Sequence, residues 1–145
     1  MTKVSSIMKK KGADVVTVPP AADILAVTRL LRERGIGAVV VSADGREALG
    51  IYSERDLVRD VAEHGPGVLS TPVSVLMTKA LVTCTGADDV KDIMRIMTQR
   101  RIRHIPVLEG GRLAGIVSIG DVVKSRLDDM EMEANVLRDV AVAVR

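Results

Sequence analysis

The sequence predicts an α/β (α+β) protein made of two β-α-β-β-α repeats, packed sheet to sheet about a pseudo-twofold axis, with an added C-terminal helix. Three observations predict it. One stretch of the chain occurs twice: Gly45-Arg46 answers to Gly111-Arg112, Gly50-Ile51 to Gly115-Ile116, Ser53 to Ser118, Asp56 to Asp121 and Val58 to Val123. Self-similarity of this kind marks a repeat architecture. Within each copy, β-forming runs alternate with apolar stripes of helical spacing. Each copy, at roughly 60 residues, is also too small to bury a good core alone, so two of them must pack together. The expected segments are 1–66, 67–126 and a helical extension over 127–145.

The first repeat opens on Val4-Ser5-Ser6-Ile7-Met8, one helical turn, followed by Lys9-Lys10-Lys11 as a solvated run. Residues 15–18 form a β-rich run that stops at Pro19-Pro20. Proline suits the first turn of a helix, where the N–H it lacks would have no partner. A helix is therefore expected over 21–34, with Ile24, Val27, Leu30 and Leu31 on its apolar side and Gly35 ending it. Strands follow over 37–41 and 48–52, then a helix over 53–63 that His64-Gly65-Pro66-Gly67 breaks.

The second repeat retraces this order. Residues 73–77 echo the opening turn, and 81–84 match the first strand, with Thr83 at the place of Thr17. A helix over 87–100 carries Val90, Ile93, Met94 and Met97 on its apolar side, and Thr85 and Asp88 have capping-box spacing before it. Two strands, over 101–108 and 113–117, flank Gly110-Gly111, a pair that tolerates the positive φ of a hairpin turn. Ser118 then stands at a helix N-cap with Asp121 three residues on.

Composition narrows the function. Hydrophobic residues make up 47% and charged residues 28%, a globular balance. The net charge is only +2, and one Tyr with no Phe or Trp leaves no platform for stacking bases, so nucleic acid is not an expected partner. The single cysteine, Cys84, rules out an intrachain disulfide and reads as a buried inert thiol. No apolar run approaches the ~18–20 residues of a membrane span, so a cytoplasmic protein with no membrane partner is expected. His64 and His104 have no orienting carboxylate and nucleophile beside them, so no catalytic set can be assembled. Asp88-Asp89 reads as a helix-start pair favoured by the macrodipole, not as a metal site.

The repeated β-α-β-β-α order, with 50–56 and 115–121, resembles a tandem pair of CBS domains, a Bateman module. Arg103-His104-Ile105-Pro106-Val107 adds to the likeness, which covers roughly residues 4–125. The length is that of a stand-alone pair. The resemblance implies a non-enzymatic sensor of adenosine-containing ligands such as AMP, ADP, ATP, NAD or S-adenosylmethionine. The regulated protein is unknown.

It also implies site residues. Ser53 and Ser118 meet phosphate or ribose, and Asp56 and Asp121 accept hydrogen bonds from the ribose hydroxyls. Each cleft joins β-elements of one repeat to the Ser-x-x-Asp helix of the other. One cleft thus sets Arg101, Arg103 and His104 against Ser53, Arg55 and Asp56, and is ready for phosphate. The other sets Ile36, Gly37 and Ala38 against Ser118 and Asp121; it stays empty or holds an adenosine moiety. Thr17 and Thr83 lie beside the ligand, and adenine rests between aliphatic side chains such as Val16, Ile36, Val82 and Ile102. An alternative is an interaction module with vestigial clefts.

Two features point to a homodimer. Leu30, Leu31, Ile96, Met97, Leu57, Val61, Val122 and Val123 exceed what two small sheets can cover, and a twofold contact would bury them. Leu127, Met130, Ala134, Leu137, Ala141 and Val144 form a short heptad seam, which either folds back on its own chain or pairs across the dimer.

Overall fold

The structure is a computed structural model that describes residues 2–12 and 14–143. Six helices and six strands follow one another as α1 (Val4–Lys11), β1 (Thr17–Val18), α2 (Ile24–Arg34), β2 (Ala38–Val41), β3 (Gly50–Ser53) and α3 (Glu54–His64). Then come a 3-10 turn (Pro66–Ser70), α4 (Val73–Leu76), β4 (Cys84–Thr85), α5 (Val90–Arg100), β5 (His104–Glu109), β6 (Arg112–Ser118) and α6 (Ile119–Ala143). Two three-stranded sheets result, ordered β1-β2-β3 and β4-β5-β6. In each, the first pair is parallel and the second antiparallel. The two-repeat mixed fold is the one the sequence predicts.

The register makes the repeat quantitative. Ala38 faces Ser53 in one sheet, and His104 faces Ser118 in the other. The Glu54 N–H donates to the Gly37 carbonyl, as the Ile119 N–H does to Arg103. Gly37 therefore answers to Arg103 and Ala38 to His104.

Each unit has its own core. Val18, Ile24, Val27, Leu31, Val39 and Tyr52 fill the first; Cys84, Val90, Ile93, Met97, Ile105 and Val117 fill the second. The opening helices are exchanged between them. Val4 and Ile7 of α1 are buried in the second core, while Val73 of α4 is buried in the first. Backbone bonds fasten the exchange: Val4 N–H donates to Asp88, and Val73 N–H to Ala22. Gly115 receives Met8, and Gly50 receives Met77, so closely that a Cβ at either glycine would strike the methionine. Sequence repeat and packing unit thus do not coincide. The reason is that 60 residues of sheet and helix leave one sheet face open, and the neighbour's leading helix covers it.

Several local expectations shift. Asp23 caps α2, accepting from Ala26 N–H at 2.8 Å, so the helix starts later than the prolines suggest. The Thr85–Asp88 contact (2.8 Å) closes a turn instead of capping a helix; α5 begins after Asp89, which pairs with Lys3. Leu31, Met97 and Val122 lie in the cores and are not spare surface. Val123 is exposed, as is its counterpart Val58. The last helix is continuous with the one after Ser118, running 25 residues. Its early part is tied back, with Thr2 donating to Asp129 and Lys10 facing Asp128. Val136, Leu137, Val140 and Val142 are exposed, so its end does not fold back; Val144 of the seam lies outside the described residues.

Candidate functional site

Where β3 runs into α3, the chain builds a full capping box. Ser53 Oγ accepts from the Asp56 N–H (3.3 Å), while Asp56 Oδ2 accepts from the Ser53 N–H (2.9 Å) and hydroxyl (3.0 Å). With the Glu54 N–H on the Gly37 carbonyl, the Arg55 N–H is left without a helical partner, and the positive end of the helix dipole favours an anion here. It opens into a cavity of about 410 Å³. Ile51, Ser53, Glu54, Arg55, Asp56 and Arg59 line it from the first repeat; Thr78, Arg101, Ile102, Arg103 and His104 line it from the second. The structure thus brings together the two groups expected in the basic cleft.

Four guanidinium groups and one imidazole face two carboxylates there. Arg59 is held by Asp56 (3.1 Å) and Asp60 (3.3 Å), and buried Asp60 also accepts from the Tyr52 hydroxyl at 2.8 Å. Burial and then Asp60 push the Tyr52 hydroxyl far above its ordinary range, so it stays a donor. Arg55, Arg101 and Arg103 form none of the ion pairs found among the described residues. Arg101 also occupies a left-handed backbone conformation (φ 54°), the one non-glycine among the described residues with positive φ. Its counterpart Gly35 has φ 61° and no such cost. An L-residue there costs about 1–2 kcal/mol, and such outliers gather at ligand sites.

His104 begins β5 with its ring against Gly37; a Cβ there would come within 3.1 Å of the ring. Burial lowers its pKa against the attraction of Glu54, with Lys11 and Arg103 adding to the fall and Asp121 opposing it.

The second cleft has the same cap in other company. Asp121 Oδ2 accepts from Ser118 N–H (2.9 Å), and Ser118 Oγ accepts from Asp121 N–H (3.2 Å). Lys11 of α1 reaches the same carboxylate at 2.7 Å and also donates to the Ile116 carbonyl at 2.8 Å. Burial alone would raise the Asp121 pKa; Lys11 and the Ser118 N–H outweigh it and hold the carboxyl below its usual range. Ile36 packs on the first core, and Ala38 is buried in β2.

The expected adenine neighbours are more scattered. Val16 and Val82 pack against the first and second cores respectively. Thr17 opens β1, and Thr83 is exposed just before β4. None of these four lines the 410 Å³ cavity, whereas Ile102 does. Ile51, Glu54, Arg59 and Thr78 line it without having been expected. Arg59, one helical turn beyond Asp56, was open to an i,i+3 argument. Thr78 was not, because a bridge between Ile51 and Thr78 brings it there. Elsewhere, Cys84 is buried and its thiol is pushed up to about 12. Asp60, Glu63 and His64 place potential ligand atoms within 4.8 Å, but Tyr52 and Arg59 already engage Asp60.

Two three-stranded sheets of like topology, with a cleft between the repeats, define a tandem repeat pair. The chain belongs to the CBS domain family, whose model matches residues 4–63 and 73–128. CBS domains are in general regulatory and not catalytic. A CBS-domain containing protein from Agrobacterium tumefaciens is 52% identical, with a TM-score of 0.83 over 86% of this chain and 99% of that one. A CBS domain protein of Pyrobaculum aerophilum, solved complexed with AMP, is 26% identical with a TM-score of 0.72, over 82% of this chain and 88% of that one. A mitochondrial CBS domain-containing protein of Arabidopsis thaliana is 38% identical over 86% of this chain; the chain spans 64% of that relative's length. Among the described residues, no helix is long and apolar enough to cross a membrane.

Proposed function

We propose that this chain is a non-enzymatic regulatory module that binds an adenosine nucleotide (AMP, ADP, ATP or NAD) between its repeats and signals by changing how they pack. The carrying observation is the convergence of Arg55, Arg101 and Arg103 on the N-terminus of α3. Phosphate sits against these guanidinium groups and the Arg55 N–H at the start of α3. Asp56 takes the ribose diol, for which Arg59, a half-exposed side chain, swings aside. Ile102 and Ile51 offer apolar surface to the adenine. So many cations disfavour the sulfonium of S-adenosylmethionine, which leaves phosphate-bearing ligands.

The AMP complex of the Pyrobaculum relative supports an adenosine ligand here. A ligand that touches both repeats shifts their packing only through unequal affinity for two arrangements. An interaction module with vestigial clefts gives no reason for arginine at the left-handed cap of α5, where the first repeat has Gly35. The exposed Val58 and Val123, at matching places on α3 and α6, supply apolar surface for a twofold homodimer.

The test is cheap, because one Tyr and no Trp leave almost no absorbance at 280 nm. Absorbance near 260 nm in purified protein, or a rise in melting temperature with AMP, ATP or NAD, is expected. No shift with any of them at millimolar concentration refutes the proposal. Light scattering that returns a monomer near 15.5 kDa rejects the dimer.

A further inference from the structure

The two clefts differ most in what the exchanged opening helix does on leaving its methionine. Met77 and Met8 occupy matching places against Gly50 and Gly115. After Met77 the chain leaves the helix with an extended backbone (φ −60°, ψ 151°). It then pairs with the strand edge: Ile51 and Thr78 exchange both backbone hydrogen bonds, at 3.1 and 2.9 Å. After Met8 the chain instead stays helical through Lys11. Three more residues of helix bring the Lys11 ammonium to Ile116 and Asp121.

Ile116 and Asp121 are the counterparts of Ile51 and Asp56, two residues that line the open cleft. Counting from the methionines, the counterpart of Lys11 is Ala80, which carries no charge. In one cleft Asp56 is paired with a half-exposed arginine of its own helix, one turn further on. In the other, a lysine fixed at two points sits where the counterpart residues receive ligand.

We propose that Lys11 is the built-in occupant of the Asp121 cleft, so that each chain takes one nucleotide, at the Ser53 cleft, and the second place opens only when the last turn of α1 lets go. This rests on the nucleotide-binding reading above. Release has a defined product: Lys9 can take against Ile116 the strand-edge place that Thr78 takes against Ile51 in the other repeat. The helical form is favoured by three lysines, good helix formers set at the C-terminal end of the helix. On the other side, Thr78 is β-branched and suits the strand edge.

Titration calorimetry with AMP on wild type and on Lys11→Met, a change that keeps chain length and helix propensity, reads the proposal as a difference. Wild type should take one equivalent and Lys11→Met two, with Lys11→Arg staying at one. Lys11→Gln gives the same reading if Lys11→Met does not fold, and circular dichroism checks both. Two equivalents on wild type, or a stoichiometry that neither neutral variant changes, overturns the role of Lys11. Wild type and variants that all bind nothing refute the nucleotide reading instead, whereas a variant that gains one equivalent over a silent wild type still assigns closure of the second cleft to Lys11.

Discussion

Asp56→Asn separates the two tasks that one carboxylate performs. Asparagine keeps an oxygen for the Ser53 N–H, now 2.9 Å away, so the cap survives in large part. It loses the charge and one of two good acceptors for a vicinal diol. Hydrogen bonds to a charged group contribute about 1.5–3 kcal/mol each. Loss of one such bond weakens AMP binding about 10- to 150-fold at 1.4 kcal/mol per decade. Folding stability should fall by less than about 1 kcal/mol, the worth of a cap. Calorimetry with AMP reads the first effect and urea denaturation the second. Unchanged affinity in Asp56→Asn, with loss in Asp121→Asn, would place the ligand in the other cleft and refute the reasoning.

Arg101→Gly should relax the left-handed backbone and raise stability by about 1 kcal/mol while weakening nucleotide binding at least tenfold; stabilisation with unchanged binding would remove Arg101 from the site. Gly50→Ala should cost more than Gly115→Ala in denaturant melts. A Cβ at Gly50 meets the Thr78 carbonyl at 3.0 Å as well as Met77, whereas one at Gly115 meets only the flexible end of Met8. His104, with its pKa lowered by burial, binds protons more readily when unfolded. Its contribution is therefore complete above about pH 6.5 and declines as pH falls from there toward the folded value. Melts at pH 7.5 and 5.5 should show that slope, and His104→Gln should flatten it.

Local pattern was enough to read the repeat, the two sheets and both Ser-x-x-Asp caps. The capping geometry at Ser53 and Ser118 depends on residues three apart, and strand pairing follows from apolar runs either side of a glycine turn. The basic residues of the cleft were legible too, because Arg101, Arg103 and His104 stand in the chain where the first repeat has Gly35, Gly37 and Ala38; that they face the Ser53 helix was an implication of the CBS resemblance. Other facts arise only when distant segments meet. The exchange of α1 and α4 between cores has no signature in either helix, since Val4 and Val73 look alike in sequence. Thr78 reaches the cleft through a bridge to Ile51, 27 residues earlier in the chain. Lys11, which reads as part of a solvated run, meets Asp121 across 110 residues. A charge is solvated by default in one dimension; only packing reveals which carboxylate comes within 3 Å of it.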